Sequence, residues 1–153
     1  MHRIMRFSVV LAASCYVVAP EAQPVADKAI SELVGELASA WNRGDAVAFA
    51  KRFQSAGTFT NVNGATFEGH TAFERRHREI FSGPLKGSVT TMTLRRVQLV
   101  RPDVALVDVD CSTVVGTATP IQSRLLLVLT REGDEWSIAA FHNTAVQAAP
   151  IVR

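Results

Sequence analysis

Four long strand-like segments fill the second half of the chain and restrict its fold more than any other feature. They run from about Val89 to Val100, Val104 to Val115, Ser123 to Thr130 and Asp134 to Val146. Short connections such as Arg101–Asp103 and the charged tip Arg131–Glu135 join them. Because strands joined by short turns pair antiparallel, this half predicts a four-stranded meander.

The last of these segments predicts a central strand. Its residues alternate between two faces, and both faces are largely apolar, as expected for a strand covered on both sides. One face would carry Trp136, Ile138, Ala140, His142 and Thr144, and the other Ser137, Ala139, Phe141, Asn143 and Ala145. On this pattern His142 lies at the end of a cavity wall.

The first half predicts three helices and a short hairpin. Apolar residues at helical spacing indicate a helix from about Pro24 to Asn42, ended by Gly44, and a second from Ala46 to Phe53 with Asp45 as its cap. The Asn63-Gly64 pair predicts a hairpin turn after a strand over residues 57–62. A third helix follows over residues 70–82, so the whole pattern is of the α+β class.

Composition is consistent with one compact domain. The chain has 153 residues, of which 48% are hydrophobic and 20% charged, with a formal net charge of +2. Acids and bases are interspersed, so nucleic acid is not an expected partner. Beyond the N-terminus we expect no membrane span. The widely spaced histidines do not form a metal-ligand pattern, and no metal or cofactor is expected.

The N-terminus resembles a secretory signal. A basic start precedes an apolar stretch from Phe7 to Val18, and a break follows. We therefore expect a signal over residues 1–22, a domain over residues 23–147, a loose tail over residues 148–153, and an exported protein, periplasmic or secreted. A buried helix, an uncleaved anchor and lipidation of Cys15 are the alternatives. Removal of the signal would leave Cys111 as the single thiol, for which we expect a packing role.

Several local motifs, in their order and spacing, resemble the NTF2-like superfamily. They are Ala40–Asp45, Phe59–Gly64, Phe67–Gly69, His77–Phe81, Gly83–Gly87, Arg101–Asp108 and Trp136–Thr144. The likeness covers residues 26–146 and is strongest to the SnoaL-like branch and its SgcJ/EcaC-type proteins. It implies three N-terminal helices packed in a strongly curved, mainly antiparallel sheet, which together form a cone.

The resemblance also implies a homodimer through the outer sheet face and a pocket for a small organic molecule. Members of the superfamily include isomerases, cyclases, dehydratases and binding proteins without activity, so the fold does not fix the function. The chain carries no G-x-G-x-x-G loop for a nucleotide cofactor. By comparison with ketosteroid isomerases, Asn61 stands where those enzymes have their base and Leu37 where they have a tyrosine. Isomerisation by that mechanism is not expected.

Candidate site residues follow from these patterns. His142 is the first candidate acid or base, with Asp108 or Asp110 as its carboxylate partner. The alternatives are a hydrogen-bonded wall histidine and aspartates paired with Arg95 or Arg124. His77 either faces His142 across the cavity or packs with Phe81 and binds a backbone carbonyl.

Our main hypothesis is a small, mainly apolar organic ligand bound in the cone by Asn61, His77, Trp136 and His142. One alternative is a cofactor-independent cyclase, isomerase or hydratase that uses His142 with Asp108 or Asp110. Another is a non-enzymatic protein-interaction module.

Overall fold

The computed structural model describes residues 22–147, with side chains from residue 27 onward. This part of the chain forms three helices, α1 (Ala22–Asn42), α2 (Ala46–Ala50) and α3 (His70–Ser82). It also forms six strands: β1 (Phe53–Thr60), β2 (Thr66–Glu68), β3 (Val89–Arg101), β4 (Val104–Val114), β5 (Ile121–Glu132) and β6 (Glu135–Ala145). The predicted tail, and the predicted signal up to residue 21, lie outside the described residues. No helix in the described part is long and apolar enough to cross a membrane.

All six strands belong to one curved, mixed sheet in the order β2-β1-β6-β5-β4-β3. The meander β3 to β6 is antiparallel throughout, as predicted. β1 pairs in parallel with β6, which places the last strand in the middle of the sheet. The α+β class and the central position of β6 are therefore confirmed.

A bulge in β6 changes which side chains face inward. Leu129 pairs with Ile138 but Val128 pairs with Ala140, so Ala139 is an extra residue. Beyond an extra residue the alternation of faces is reversed. Phe141 consequently lies on the same buried side as Ile138, and His142 on the other. The predicted division of this strand into two faces is correct before Ala139 and wrong after it.

Two predicted boundaries differ from the structure. α2 ends at Ala50, and Phe53, predicted to be helical, already begins β1 opposite Ile138. Its ring is buried against Phe73 with centroids 4.0 Å apart. This packing outweighs the short helical pattern of the sequence.

The end of α1 is fastened to the edge strand β3. The Asn42 side chain donates to the carbonyl oxygen of Thr90 (3.1 Å) and accepts from its amide (2.7 Å). The Trp41 indole donates to the Ser88 hydroxyl at 2.9 Å. Gly44 ends the helix with a φ of 65°, and Asp45 caps α2, as predicted. α1 is thereby held over the concave side of the sheet.

Candidate ligand-binding cavity

A cavity of about 260 Å³ opens between the helices and the concave face of the sheet. Its wall is mostly apolar and includes Phe49, Phe59, Ile80, Leu125 and Phe141. The volume lies just below the range of roughly 300–1,000 Å³ for drug-sized ligands. The shape and lining therefore suit a compact organic molecule.

Aromatic rings form the deep side of the cavity. The ring centroid of Phe49 lies 5.7 Å from that of Phe73 and 6.1 Å from that of Phe141, and the ring centroids of Phe59 and Phe141 are 5.5 Å apart. These rings come from α2, α3 and the inner faces of β1 and β6. Such pairs add rigidity to an apolar wall.

His77 lies within this aromatic cluster and lines the cavity. It is only 2% exposed, and its ring centroid lies 4.2 Å from Phe73 and 4.5 Å from Phe49. Its Nδ1 lies 2.8 Å from the carbonyl oxygen of Phe73, one turn earlier on α3. Burial lowers the pKa of His77 to about 4, and the nearby charge of Arg76 acts in the same direction, against the hydrogen bond to Phe73. Its predicted bond to a backbone carbonyl is thus confirmed, and the ring is neutral at physiological pH.

Two cavity residues carry buried polar atoms without a partner. Among the residues described, these atoms are Asn143 Oδ1 and Arg76 Nε. The Arg76 guanidinium also pairs with Glu79 at 3.1 Å and lies over the Phe67 ring. Buried polar groups are nearly always hydrogen-bonded, so both atoms call for an explanation.

Sequence reasoning missed both residues as cavity contacts. It placed Asn143 on the strand face opposite His142 and did not name Arg76 as a candidate. The helical register places Arg76 at the edge of the buried face, and the bulge places Asn143 inside. The signal for Asn143 would have been the bulge, which the alternation of residue types in the strand does not reveal.

Small polar residues occupy another part of the wall. Thr90 and Thr113 share a hydroxyl hydrogen bond of 2.9 Å, and both are buried. Cys111 is buried beside Ser123; burial raises its pKa to about 11, and the charge of Asp110 adds to the rise. The thiol is therefore protonated at neutral pH and packs as a small residue, in agreement with the sequence-based expectation.

Asn61 lines the cavity, but it lies just after β1 rather than within a strand. Its side-chain oxygen accepts from the amides of Asn63 (2.9 Å) and Ala65 (3.0 Å). The side chain thus stabilises the hairpin turn, which is a frequent role of asparagine. Its contact with a ligand stays a prediction.

The structure places His142 on the outer face of the sheet, where it is exposed. The prediction that it lies on the cavity wall, facing His77, is wrong because of the bulge at Ala139. His142 pairs with Leu126, and Leu126 with Asp108, so two strand spacings of about 5 Å separate the histidine from the carboxylate. The predicted acid/base pair is therefore not formed.

Both aspartates are engaged in ion pairs on that outer face. Asp108 accepts from Arg96 at 2.8 Å, and Asp110 accepts from Arg95 and Arg124, each at 3.0 Å. The hydrogen bond from Arg95, supported by Arg124, lowers the pKa of Asp110. These contacts favour the alternative of paired aspartates over a catalytic role.

Trp136 is buried, but it is not among the residues that line the cavity. It lies at the start of β6, and the Arg131 guanidinium lies 5.6 Å from the centroid of its ring. The predicted ligand contact is therefore replaced by a packing role. In the part of the chain described, no group of three or more His, Cys, Asp or Glu residues could hold a metal ion.

The comparisons with known proteins agree with this architecture. A family model described as a SnoaL-like domain matches residues 30–146. A domain of unknown function with a cystatin-like fold from Nostoc punctiforme is 25% identical, with a TM-score of 0.75 over 80% of this chain and 78% of its own. None of the curated proteins compared matches the chain.

Two other solved structures share the fold at lower identity. A candidate scytalone dehydratase from Novosphingobium aromaticivorans is 12% identical, with a TM-score of 0.72 over 88% of this chain and 99% of its own. The hexachlorocyclohexane dehydrochlorinase LinA type 2 is 13% identical, with a TM-score of 0.71 over 88% of this chain and 100% of its own. The closer likeness to SgcJ/EcaC-type proteins stays a prediction.

Proposed function

Since the chain belongs to the SnoaL-like domain family of NTF2-like proteins, we propose that it binds a small, mainly apolar organic molecule in the cavity between its helices and its sheet. The observation that carries this proposal is the cavity itself. It is lined by aromatic and aliphatic side chains, and two of its lining residues, Arg76 and Asn143, carry buried polar atoms without a partner. Such a combination is typical of small-molecule sites.

The size and enclosure of the cavity indicate what would bind. Rings such as Phe49, Phe59 and Phe141 offer apolar and stacking contacts to one or two fused rings. Burial of a compact ring system would remove its apolar surface from water at about 25 cal/mol per Å². Affinity would come mainly from this burial, and orientation from the polar atoms.

Filling the cavity tests the proposal. In Ser123→Phe the new ring would point inward from β5, whereas in Gln122→Phe the same ring would point outward one residue earlier. We expect a bound or added aromatic ligand to raise the melting temperature of the wild type and of Gln122→Phe. Ser123→Phe should lose the shift, because the ring occupies the space that the ligand needs.

Native mass spectrometry supplies the complementary measurement. The protein is purified gently from its own host and its ligand is extracted. A co-purified small molecule in the wild type and in Gln122→Phe, absent from Ser123→Phe, is the expected result. Equal ligand content in all three proteins would contradict a cavity site.

We also propose that the protein is exported and forms a homodimer. Export is supported by the basic and apolar pattern of residues 1–18. Dimerisation is supported by a half-buried apolar band on the outer sheet face, in which Leu106 pairs with Val128 and Val128 with Ala140, beside the exposed Leu126. Arginine–aspartate ion pairs flank this band and present charges of both signs, so a second copy would meet a matching surface.

A further inference from the structure

The hydrogen bond of His77 fixes the position of the proton on its ring. A backbone carbonyl oxygen can only accept, so the contact between Nδ1 and the Phe73 oxygen requires Nδ1 to donate. In a neutral imidazole the other nitrogen, Nε2, then carries a lone pair and no proton. His77 is therefore a hydrogen-bond acceptor toward everything except Phe73.

Nε2 has no hydrogen-bond partner among residues 27–147. The side chain that carries it is 98% buried, since only 2% of its surface is exposed, and it lines the cavity. Five phenylalanines surround the ring: Phe49, Phe59, Phe73, Phe81 and Phe141. An acceptor in such apolar surroundings binds a matching donor more strongly than it would in water.

The two other unpartnered atoms restrict which group of a ligand could donate a hydrogen bond to Nε2 of His77. Asn143 Oδ1 is a second acceptor, whereas Arg76 Nε is a donor on a cationic group. An ammonium ligand would supply donors, but the charge of Arg76 would repel it. A ketone or ether oxygen could satisfy Arg76 but neither acceptor. A hydroxyl has one proton, which it can donate to Nε2 of His77, and lone pairs that can accept from Arg76, so it suits these two residues together.

We propose that the ligand is a neutral, compact phenol or alcohol whose hydroxyl donates to Nε2 of His77, with its apolar body against the phenylalanine rings. This inference rests on the binding function proposed above and adds to it the polar group of the ligand. Arg76 would position the same end of the molecule.

Three naphthalenes with one small substituent at the same position test the proposal: 2-naphthol, 2-methylnaphthalene and the slightly larger 2-methoxynaphthalene. The first donates a hydrogen bond, the second has no polar group, and the third only accepts. Calorimetric titration of the wild type should give at least about tenfold tighter binding for 2-naphthol than for the other two, as expected when a buried acceptor gains its donor. Equal affinities for all three would overturn the proposal and leave the apolar cavity site intact.

His77→Phe supplies the matched variant, because a phenyl ring fits among the surrounding phenylalanines. In this variant the preference for 2-naphthol should vanish while 2-methylnaphthalene binds as before. Absence of binding by all three probes to the wild type would overturn both the binding function and this inference.

Nitrogen NMR of the wild type does not depend on the folding of a variant. With 2-naphthol bound, the Nε2 resonance of His77 should move in the direction of an accepted hydrogen bond, and 2-methylnaphthalene should leave it unmoved. A proton found on Nε2 in the free protein, or an unmoved resonance with 2-naphthol, would overturn the proposal.

Discussion

His77 links the stability of this protein to pH. The folded protein holds the ring neutral down to about pH 4, whereas an ordinary histidine takes up a proton near 6.5. Between these values the unfolded chain binds more protons than the folded one, so the free energy of unfolding falls as the pH is lowered from 6.5 to 4. Above 6.5 the contribution is constant.

The size of this effect can be measured by urea denaturation at several pH values. A pKa difference of this extent corresponds to about 3 kcal/mol of unfolding free energy, lost progressively toward pH 4. In His77→Phe the loss of unfolding free energy between pH 6.5 and pH 4 should be smaller by that amount. His142→Gln, which changes an exposed histidine, should keep the wild-type slope; parallel curves for all three proteins would contradict the assignment to His77.

Between elements, two hydrogen bonds from the Asn42 side chain to the backbone of Thr90 join α1 to the edge strand β3. They satisfy both the amide and the carbonyl oxygen of Thr90, which would otherwise lack a partner at the sheet edge. Asn42→Ala should lower the free energy of unfolding by about 1–2 kcal/mol. It should also speed hydrogen exchange of the Thr90 amide, which reports the local loss directly.

Arg43→Ala is the matched control for Asn42→Ala. Arg43 is the next residue and is exposed, and within the described part of the chain its side chain bonds to Ser39 and Asp45 near the same helix end. We expect a change of less than about 0.5 kcal/mol and unaltered exchange at Thr90. Unchanged hydrogen exchange of the Thr90 amide in Asn42→Ala would show that these two hydrogen bonds do not hold β3.

Most elements, but not the geometry of the site, follow from the sequence. The meander is predictable because Val89–Val100 and its successors alternate over many residues and end in turn residues. The position of His142 is not, because a single extra residue at Ala139 leaves the composition of the strand unchanged while it reverses the faces beyond it. The parallel pairing of β1 with β6 joins segments far apart in sequence, and no local pattern records it.

For the molecule as a whole, the outer face of the sheet decides the proposed assembly. Leu126 lies near its middle and is 40% exposed, which is unusual for a leucine on a long central strand. Leu126→Glu should convert a dimer to a monomer in light scattering coupled to size-exclusion chromatography. A charge at this position would be desolvated in both copies at once.

Val47→Glu is the control for that change. Val47 is exposed on α2, on the helical side of the molecule. The same new charge there should leave the dimer intact. A wild type that is monomeric at all concentrations would contradict the proposed interface.

The bulge at Ala139 also has a consequence for how such a chain can diverge. Loss of one codon there would remove the extra residue and the bulge together, so Phe141 and Asn143 would stay inward and His142 outward. Loss of the bulge with every residue kept would instead pair Ala139 with Val128, and would turn the Phe141 and Asn143 positions outward and the His142 position inward. A phenyl-and-amide lining would then be exchanged for an imidazole one without any substitution in the wall, so an insertion in this strand preserves the cavity chemistry only when a bulge absorbs it.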